Sequence, residues 1–594
     1  MDRNTVIGFI LIGLILMIWM WMNMPPPSQQ RNLVDSTHSD TVIADTTKRY
    51  VGVVDKNVKG QDTLGNYFSH LVKGIERNII IESQNYRAEI STKGGNIRSW
   101  KLQNYKTWDQ QPIDLLSDNK QGEFNLIFYT SDGKLVNTKN LFFQSEFQNG
   151  KIIKLQNNDS IKINLSLIID NDSRIIKTLT FEGGTYSMDA DYRFERMNGV
   201  ISNFEYQATW ETGLPNPEYN SVDESNFSKA SVFAGGEVTE VDASDLTETL
   251  RENLTGRMAW VAIRNKYFTM AIIPRYPESN GAYLEGTRRT LPNKGIKEDY
   301  NVAVKMPFLG KDVENARFTL YLGPLDIGIV KSYNIGLDHI MSLGAAWIIR
   351  PIAEYVIIPL FQFLRYFIPN YGYVLIVFSI IIKIILHPLT RTSMRSMQRM
   401  QSLQPMMNEI REKYKDDPQK MNQQIMRLYK EYGVNPAGGC LPMLLQLPIL
   451  YALWNVFSSA IELRQASFIW WITDLSVPDV IVTLPFHLPI FDINTISGLA
   501  LLMGITMFIQ QKMTVKDPRQ KMMVWMMPIL MTLLFNSFPS GLNLYYFVFN
   551  LLSIAQQAWM NKHHKNEPLR KIEVKKGAGG FMSRLTKNMP KLNK

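Results

Sequence analysis

The sequence predicts a polytopic α-helical membrane protein with six spans and a large all-β domain outside the membrane. Two observations predict the helical part: residues 6–22 hold no charge over seventeen positions, and five further apolar runs follow residue 370. A third observation, the alternation of apolar and polar residues within 61–335, predicts the β part. Of the 594 residues 45% are hydrophobic and only 20% are charged, and Cys440 is the single cysteine. A purely soluble enzyme, a disordered chain and a disulfide scaffold are therefore excluded.

Residues 1–24 are interpreted as an uncleaved signal anchor that spans the membrane, with the N-terminus in the cytoplasm. The run resembles a signal peptide, but Met22-Asn23-Met24-Pro25 lacks the small side chains of a cleavage site. Three prolines open the polar stretch 25–60, which predicts an extended linker.

Residues 61–335 are predicted to form one large β-sandwich. Apolar residues alternate with polar ones over 161–167, and a turn separates this strand from a second one over 175–181. A hairpin is predicted at Ser131-Asp132-Gly133-Lys134, because apolar residues flank this turn sequence on both sides.

Residues 336–370 are predicted to form an amphipathic helix on the outer surface of the membrane. The apolar segment 347–368 contains Arg350, Glu354, Arg365 and two prolines. These residues would be costly in the lipid interior, whereas a helix at the interface leaves its charges in water.

A five-span core is predicted over 371–560, with a cytoplasmic helical hairpin at 391–433. The five apolar runs are 371–386, 440–461, 495–510, 522–538 and 542–559. In the hairpin, methionines and other apolar residues recur every three to four positions on both sides of Asp416-Asp417-Pro418. This pattern allows two interpretations, a short coiled coil that only closes the loop or a Met-rich surface that receives apolar peptides.

The distribution of charge predicts the orientation of the spans. Segment 387–436 holds nine Lys and Arg against five acids, loop 511–521 holds four against one, and tail 561–594 holds ten against two. Short basic loops remain in the cytoplasm, so these segments and the C-terminus are placed inside and the acidic loop 459–489 outside. The protein is thus predicted to be a multi-pass protein of a bacterial inner membrane, with the β domain in the periplasm.

Motifs for catalysis are absent from the sequence. It contains no H-E-x-x-H, G-x-S-x-G, P-loop or C-x-x-C pattern, and seven scattered histidines with one cysteine predict no metal site. We therefore expect no catalytic residue, no metal and no cofactor.

Polar residues inside the predicted spans are the candidate functional residues. Lys383 lies twelve residues into its span, about 18 Å from one end at about 1.5 Å per residue, and Ser379 lies one turn before it. The other spans contribute Gln446, Thr506, Asn543, Tyr546 and Asn550.

Two structural roles compete with a functional one for these residues. Lys383 could extend its ammonium group to the headgroups, and the amides could join helices at about 0.6 kcal/mol each. A shared hydrated groove would instead relieve the cost of a lysine in lipid, about 2.5–3.5 kcal/mol.

Five segments of the core resemble the YidC/Oxa/Alb family of membrane protein insertases. They are HPLTRTSMRSMQRMQSLQP (387–405), LYKEYGVNPAGGCLPMLLQLPI (428–449), ELRQASFIWWITDLS (462–476), TMFIQQKM (506–513) and FPSGLNLYYFVFNLLSIAQQ (538–557). The β domain matches more weakly, through STKGGNI (91–97) and LYLGP (320–324).

This resemblance implies a five-helix insertase core with a positively charged groove open to the cytoplasm and to lipid, and a periplasmic β-supersandwich. It implies that Lys383 takes the place of the family's usual arginine, and that Ser379 and Tyr546 lie in the groove. Leu447 and Leu450 would contact the substrate helix.

The implied function is insertion and folding of integral inner-membrane proteins, alone or with the Sec translocon. The implied partners are nascent membrane proteins, the ribosome at the hairpin and basic tail, the Sec translocon, and the signal recognition particle receptor. Anionic lipid is an alternative ligand for the tail.

The residues leave two other functions open. One is a small-solute transporter that uses Lys383 as its binding charge, although the repeats and broken helices typical of transporters are not found. The other is a carbohydrate-binding β domain.

Overall fold

The computed structural model describes residues 64–116, 122–292, 295–345, 347–434, 441–488, 493–515 and 521–563. The chain forms two compact units, which meet in sequence between Ser342 and Leu343. The predicted signal anchor, the linker over 25–60 and the tail beyond residue 563 lie outside the described residues.

The first unit consists mainly of β-strands. They are β1 (Asn78–Glu82), β2 (Tyr86–Ser91), β3 (Asn96–Lys106), β4 (Pro112–Asp114), β5 (Asn125–Thr130), β6 (Leu135–Asn137), β7 (Gln144–Ser145), β8 (Lys151–Lys154), β9 (Ser160–Ile168), β10 (Arg174–Glu182), β11 (Ser187–Glu195), β12 (Ile201–Trp210), β13 (Lys229–Ala234), β14 (Glu237–Val241), β15 (Leu250–Thr255), β16 (Trp260–Arg264), β17 (Phe268–Tyr276), β18 (Gly281–Thr290), β19 (Ile296–Pro307) and β20 (Val313–Pro324). Its short helices are α1 (Gly65–Phe68), α2 (Ser221–Ser225) and α3 (Ile327–Ser332).

These strands form three sheets. The largest has the order β14-β13-β16-β17-β20-β11-β10-β9-β7, the second β15-β18-β19-β12-β5-β6, and the third β4-β3-β2-β1-β8. Neighbouring strands are antiparallel except for β1 and β8, which are parallel.

The two hairpins expected from the sequence are confirmed. Strands β5 and β6 pair across the turn in which Gly133 has a positive φ of 77°. Strands β9 and β10 pair along their whole length, with Ile163 opposite Leu179 and Leu165 opposite Lys177. Inward positions alternate with outward ones along both strands, as the pattern of apolar residues predicts.

Aromatic rings form the core between the two larger sheets. The ring of Phe194 on β11 lies 5.0 Å from that of Tyr206 on β12, and Phe124 lies 6.0 Å from Tyr192. The third sheet packs on β10 through Trp100, whose ring is 6.4 Å from that of Phe181. The unit is therefore layered in the manner expected of a sandwich.

The second unit is mainly helical. Its helices are α4 (Ile349–Ile352), α5 (Ile358–Phe367), α6 (Tyr371–Ile385), α7 (His387–Ser402), α8 (Gln404–Lys413), α9 (Pro418–Glu431), α10 (Leu441–Ser459), α11 (Gly498–Thr514), α12 (Lys521–Phe535) and α13 (Ser540–His563), with a π-helical turn at Ala353–Ile357 between α4 and α5. A two-stranded hairpin, β21 (Val480–Leu488) with β22 (Ile493–Ser497), precedes α11.

One expected boundary is wrong. The apolar run that begins at Thr495 becomes helical only at Gly498, because Thr495 belongs to β22 and pairs with Thr483. Within the segment 336–370, the helix that the apolar residues 347–368 predict begins at Ile349 and ends at Phe367, and a 3-10 turn, Leu337–Ile340, lies before it.

The helix over 349–367 is amphipathic in an unexpected sense. Arg350 and Glu354 form an ion pair on its sheltered side, with the guanidinium 3.1 Å from the carboxylate. Tyr355, Phe363 and Tyr366 are exposed. Because the exposed side is aromatic, this helix is suited to the headgroup region, where amphipathic rings are favoured.

The helices of the described residues are mostly short for membrane spans. None of these helices alone combines the length and the hydropathy required to cross a membrane. Helices α6 and α7 meet that requirement as a pair, with a bend of 63° between them, and a shorter apolar helix covers Val524–Phe535.

The core helices pack around α13. Helix α13 contacts α6 and α11, α11 contacts α12, and α10 packs against α4 and the π-helical turn. The expected hairpin over 391–433 is formed by most of α7 together with α8 in one arm and by α9 in the other. Asp417 caps α9 by accepting a hydrogen bond from the Lys420 amide over 3.0 Å.

Candidate functional site

Local sequence fixes the position of Lys383 in α6. The helix begins where the Asn370 side chain accepts a hydrogen bond from the Gly372 amide, and it ends at Ile385, shortly before Pro388. Gly372 has no room for a side chain because Phe468 packs against it. Lys383 therefore lies in the last turn of a helix whose first turn is held in place.

Lys383 is directed into the protein. Its side chain is only 7% exposed, and its ammonium group donates a hydrogen bond to the hydroxyl of Ser553 on α13 over 2.6 Å. The same nitrogen lies 4.6 Å from the centre of the Phe549 ring, which provides a cation–π contact. Snorkelling to the headgroups is thus not the conformation that this lysine adopts.

The polar face of α13 is directed toward the neighbouring helices. Asn543 and Ser553 are buried, whereas Tyr546 and Asn550 are half-buried. Phe549, one turn before Ser553, also contacts Lys383. It is not among the residues predicted from the sequence, because only polar side chains within the spans were taken as candidates. The sequence does place the Phe549 ring four positions before the Ser553 hydroxyl, so the two lie on one face of the helix. That spacing was the signal that could have identified Phe549.

Four buried polar atoms on α13 have no hydrogen-bond partner among the described residues. They are Oδ1 of Asn543, the hydroxyls of Tyr545 and Tyr546, and Oε1 of Gln556. The amide nitrogen of Asn543 does have a partner, the carbonyl of Phe535 at the end of α12, at 3.1 Å. Unpaired buried polar atoms are rare and costly, so these four atoms require an explanation.

Two other candidate residues bond to their own helices. The Ser379 hydroxyl donates to the carbonyl of Leu375 over 2.7 Å, and the Thr506 hydroxyl donates to that of Met503 over 2.8 Å. Both residues are buried, and neither makes a hydrogen bond to Lys383. They make the interior less apolar without forming part of the lysine contact.

The candidates on α10 line the other side of α13. Gln446, Leu447 and Leu450 are half-buried, and the side chain of Gln446 faces the hydroxyl of Tyr546. The two leucines are therefore available, in part, to another apolar surface.

Side-chain amides connect the hairpin to the core. The Gln398 side chain on α7 donates to Asn561 on α13 over 3.0 Å, and Gln401 donates to the carbonyl of Thr514 at the end of α11. The Gln556 amide lies 3.2 Å from Nδ1 of His387. Helix α7 is thus joined to α11 and α13 by neutral hydrogen bonds, each of which contributes little to stability.

The hairpin uses its apolar residues for its own core. Leu403, Met407, Leu428, Tyr429 and Val434 form a buried cluster against which Met400 and Ile410 pack. The Tyr429 hydroxyl lies 3.4 Å from the Met407 sulfur. Of the two interpretations of the methionines, the structural one accounts for Met407.

The arrangement can supply charge and hydration rather than covalent chemistry. Within the part of the chain that the structure describes, no group of three or more His, Cys, Asp or Glu residues is placed to hold a metal. The ammonium of Lys383 has a hydroxyl and a ring as neighbours, and no carboxylate of a described residue pairs with it.

Two family models match the chain. The description "60Kd inner membrane protein" matches residues 363–567, and "YidC periplasmic domain" matches residues 78–355. The first match covers the helical core and the second covers all of the strands of the first unit.

Named relatives match along almost the whole chain. A membrane protein insertase YidC of Chloroherpeton thalassium is 38% identical over 578 residues, which are 96% of this chain and 97% of that protein. One of Chlorobaculum parvum is 37% identical over 567 residues, 94% of either chain. A solved structure of an active YidC insertase with its first transmembrane domain resolved is 17% identical, with a TM-score of 0.35 over 82% of this chain and 96% of that one. Since relatives of this identity extend over nearly its full length, the chain belongs to the YidC family of membrane protein insertases.

Proposed function

We propose that this inner-membrane insertase passes polar segments of its substrates through a hydrated groove between α6, α10 and α13, with Lys383 as the fixed positive charge of that groove. The family assignment establishes the activity, which is insertion of membrane proteins and not an enzymatic reaction. The proposal concerns the residues that carry it out and the way they act.

The buried, uncompensated ammonium of Lys383 is the observation that carries the proposal. A lysine inside a membrane protein is costly unless water or an opposite charge stabilises it. Its partners here are the neutral hydroxyl of Ser553 and the Phe549 ring, so the charge is held but not cancelled. Water in a groove, or an acidic residue of a substrate, would supply the missing stabilisation.

The unpaired polar atoms on α13 support the same proposal. Oδ1 of Asn543 and the Tyr545 hydroxyl would each gain a hydrogen bond from water that enters between the helices. A path of this kind would run from Lys383 toward the start of α13 and would shorten the apolar distance that a polar segment must cross.

The two parts of a substrate would leave the groove differently. An acidic segment would be attracted by Lys383 and drawn outward by the membrane potential, which contributes about 2.3 kcal/mol per charge per 100 mV. The apolar helix would move into lipid along Leu447 and Leu450 of α10, driven by burial of its own apolar surface. No external fuel is needed in this scheme.

The proposed topology has six spans, with the N- and C-termini in the cytoplasm. Helix α6 has 15 residues, so it is about 22 Å long, less than the roughly 30 Å of a bilayer core. Helices this short would be matched by a locally thinner bilayer, which further reduces the barrier to polar segments. The basic hairpin segment 387–436 and tail 561–594 would then face the cytoplasm.

Nascent membrane proteins are the proposed substrates, and the cytoplasmic side is the proposed docking side. With ten basic residues against two acids, the tail over 561–594 suits ribosomal RNA or anionic lipid, since both are polyanions. The hairpin would assist ribosome docking, and the Sec translocon and the signal recognition particle receptor are further proposed partners.

Substitution of Lys383 tests the proposal. Lys383→Ala removes the charge, and we expect insertion of a single-span substrate with an acidic N-terminal segment to fall about tenfold, the effect of losing one charge-assisted contact. Lys383→Arg keeps the charge and should retain most of the activity. The measurement is the rate of protease protection of the substrate in proteoliposomes that contain the full-length protein.

A neutral substrate segment is the matched control. Its insertion should change far less in Lys383→Ala, because the lost interaction acts on acidic groups. Equal rates for wild type and Lys383→Ala with the acidic substrate would contradict the role given to Lys383.

A further inference from the structure

A hydrogen-bonded segment covers the end of α6 that lies opposite to the hairpin. We name residues 467–480 together with β22 the end cap. The Asn370 side chain, at the start of α6, donates to the carbonyl of Ser467 over 3.0 Å. The Ser540 hydroxyl, at the start of α13, donates to the carbonyl of Asp474 over 2.8 Å. The end cap thus joins two helix ends that are distant in sequence.

Asp479 lies at the centre of the end cap. Its buried carboxylate accepts hydrogen bonds from the Ser497 hydroxyl at 2.5 Å and from the Trp471 indole at 2.8 Å. It also accepts one from the amide of Leu499 at 2.8 Å. Leu499 belongs to the first turn of α11, where a negative charge is stabilised by the helix dipole. One side chain therefore holds the loop, β22 and α11 together.

Asn536 fixes the end cap to α12. This buried residue follows the last residue of that helix, its Oδ1 accepts from the Ser497 amide at 2.9 Å, and its amide nitrogen donates to the carbonyl of Thr495 at 2.8 Å. Two backbone groups on the edge of β22 are satisfied in this way. The ends of α6, α11, α12 and α13 are all bound to the end cap.

The end cap differs from the proposed groove in how its polar atoms are paired. Both carboxylate oxygens of Asp479 and both polar atoms of the Asn536 side chain have protein partners. Oδ1 of Asn543 has none among the described residues, although Asn543 lies only three positions after Ser540. Paired polar groups need no water, whereas unpaired ones attract it. The change from one kind to the other occurs within about one turn of α13.

The family resemblance implies a groove that is closed toward the outside, and we propose that Asp479 is the positioning residue that keeps the end cap closed against ions and water. The inference rests on the proposed groove, because a barrier is needed only where water enters from the other end. A closed cap would confine the hydrated path to the hairpin end of the core. Polar segments could then enter without a continuous leak across the membrane.

Proton entry into vesicles tests this inference. Full-length protein is reconstituted into phosphatidylethanolamine–phosphatidylglycerol vesicles with an internal pH-sensitive dye, and a potassium gradient with valinomycin sets the potential. We expect Asp479→Asn to raise the rate of proton entry about tenfold, because a neutral amide loses the charge and replaces one acceptor oxygen with a donor. Asn536→Leu, which has a similar volume, should raise the leak through the independent contact with β22.

Three comparisons make the result decisive. Val482→Thr changes an exposed residue of β21 to an isosteric one and should leave the vesicles tight. Lys383→Ala should reduce insertion in equally tight vesicles, so a failure of the groove proposal is seen in a different assay from a failure of the barrier. If Asp479→Asn and Asn536→Leu both retain the wild-type helical circular dichroism and both remain as tight as wild type, the inference is overturned. If Asp479→Asn fails to fold, the leak of Asn536→Leu decides.

Discussion

Two buried lysines, Lys177 and Lys383, are held by the same kind of contact. The ammonium of Lys177 on β10 donates to the carbonyl of Phe124 at 2.9 Å and lies 4.9 Å from the Phe124 ring. That of Lys383 donates to the Ser553 hydroxyl and lies over the Phe549 ring. An oxygen acceptor and an aromatic face stabilise a cation without neutralising it. The two sites differ in their surroundings, because Lys177 is enclosed between two sheets of the first unit.

The stability of the first unit should depend on pH through Lys177. Burial lowers the pKa of Lys177 to about 7, from 10.5 in the unfolded chain. Between these values the unfolded chain binds the extra proton, so the stability contribution of Lys177 is complete above pH 10.5 and is lost as the pH falls toward 7. We expect the free energy of opening of β10 to rise with pH across this window, with a slope that approaches about 1.4 kcal/mol per pH unit. Hydrogen exchange of the β10 amides in the full-length protein, corrected for intrinsic rates, measures it.

Lys177→Met should remove the rise of the free energy of opening of β10 between pH 7 and 10.5. A substitution of Glu123, whose titration affects stability at lower pH, is the control. Burial raises the pKa of Glu123 to about 7, so its contribution is complete below pH 4.5 and is lost as the pH rises to 7. Glu123→Gln should therefore change the profile below pH 7 and leave the slope above pH 7 intact. An unchanged slope above pH 7 in Lys177→Met would show that Lys177 is not its source.

Lys383 was predicted from the sequence as a candidate residue, but Lys177 was not. Lys383 was identified because it is the only charge in a run of aliphatic residues. Lys177 was overlooked, although it has the same inward phase as Ile175 and Leu179 on β10. Side chains two positions apart on a strand point to the same face, so the phase of Ile175 and Leu179 also places Lys177 inside. Its partner, the carbonyl of Phe124, depends on the pairing of sheets and leaves no trace in the sequence.

At the scale of elements, the hairpin tests the two interpretations of the methionine pattern. Leu403 at the junction of α7 and α8 is fully buried in the hairpin core, whereas Met426 on α9 is 49% exposed. Leu403→Ala should destabilise the hairpin by about 2–5 kcal/mol, because it removes the side chain from a packed cluster. Limited proteolysis at 414–418, between α8 and α9, should accelerate accordingly. Met426→Ala should leave proteolysis unchanged.

Substrate cross-linking separates structure from capture in the same two variants. If Met426→Ala keeps the hairpin intact but weakens cross-linking of a nascent substrate to α9, its exposed methionine contributes to capture. If Leu403→Ala is cleaved no faster than wild type, the packed cluster does not hold the hairpin together and the structural interpretation is wrong.

Element boundaries were predictable where a capping residue marks them. Asp417-Pro418 begins α9, and Asn370 begins α6, as side-chain capping requires. The hairpin of β21 and β22 was missed because hydropathy assigns Thr495 to the following span. The β-branched run Val480-Ile481-Val482-Thr483 was the opposing signal. The hydrogen bonds of Asn536 to β22, which help to fix this boundary, join residues 39 and 41 positions apart and could not be predicted from the sequence.

At the scale of the whole molecule, the order of the units and the family could be inferred from the sequence. The motifs of the core lie in one continuous region, and the family model matches that region. Charge asymmetry between loops predicts orientation because translocation of short basic loops is unfavourable. Which polar residues meet could not be predicted in the same way. Thr506 and Ser379 bond within their own helices, and only the packing of α6 on α13 brings Lys383 to Ser553.

The proposed groove predicts which positions of the core water can reach, and from which side of the membrane. Single cysteines at the six positions 379, 383, 446, 543, 546 and 550, in a Cys440→Ser background, would be treated with a membrane-impermeant maleimide. Half-buried positions 446, 546 and 550 should react fastest, and the deeply buried Ser379 and Asn543 slowest. Labelling should occur in inverted membrane vesicles, where the hairpin faces the reagent, and not in intact spheroplasts, where the end cap does.

Ile505 on α11 provides the control that separates water from mere surface exposure. Its side chain is 56% exposed, more than any of the six, but it belongs to an apolar stretch that the proposed topology places in lipid. Ile505→Cys should therefore remain unlabelled from both sides, because a thiol in hydrocarbon is seldom ionised and seldom meets a charged reagent. Labelling of Ile505→Cys as fast as Asn550→Cys would place α11 in water and contradict the proposed spans. Protection of all six core positions together with Ile505→Cys would instead mean that the core is dry, and the charge of Lys383 would need a stabilising partner other than water.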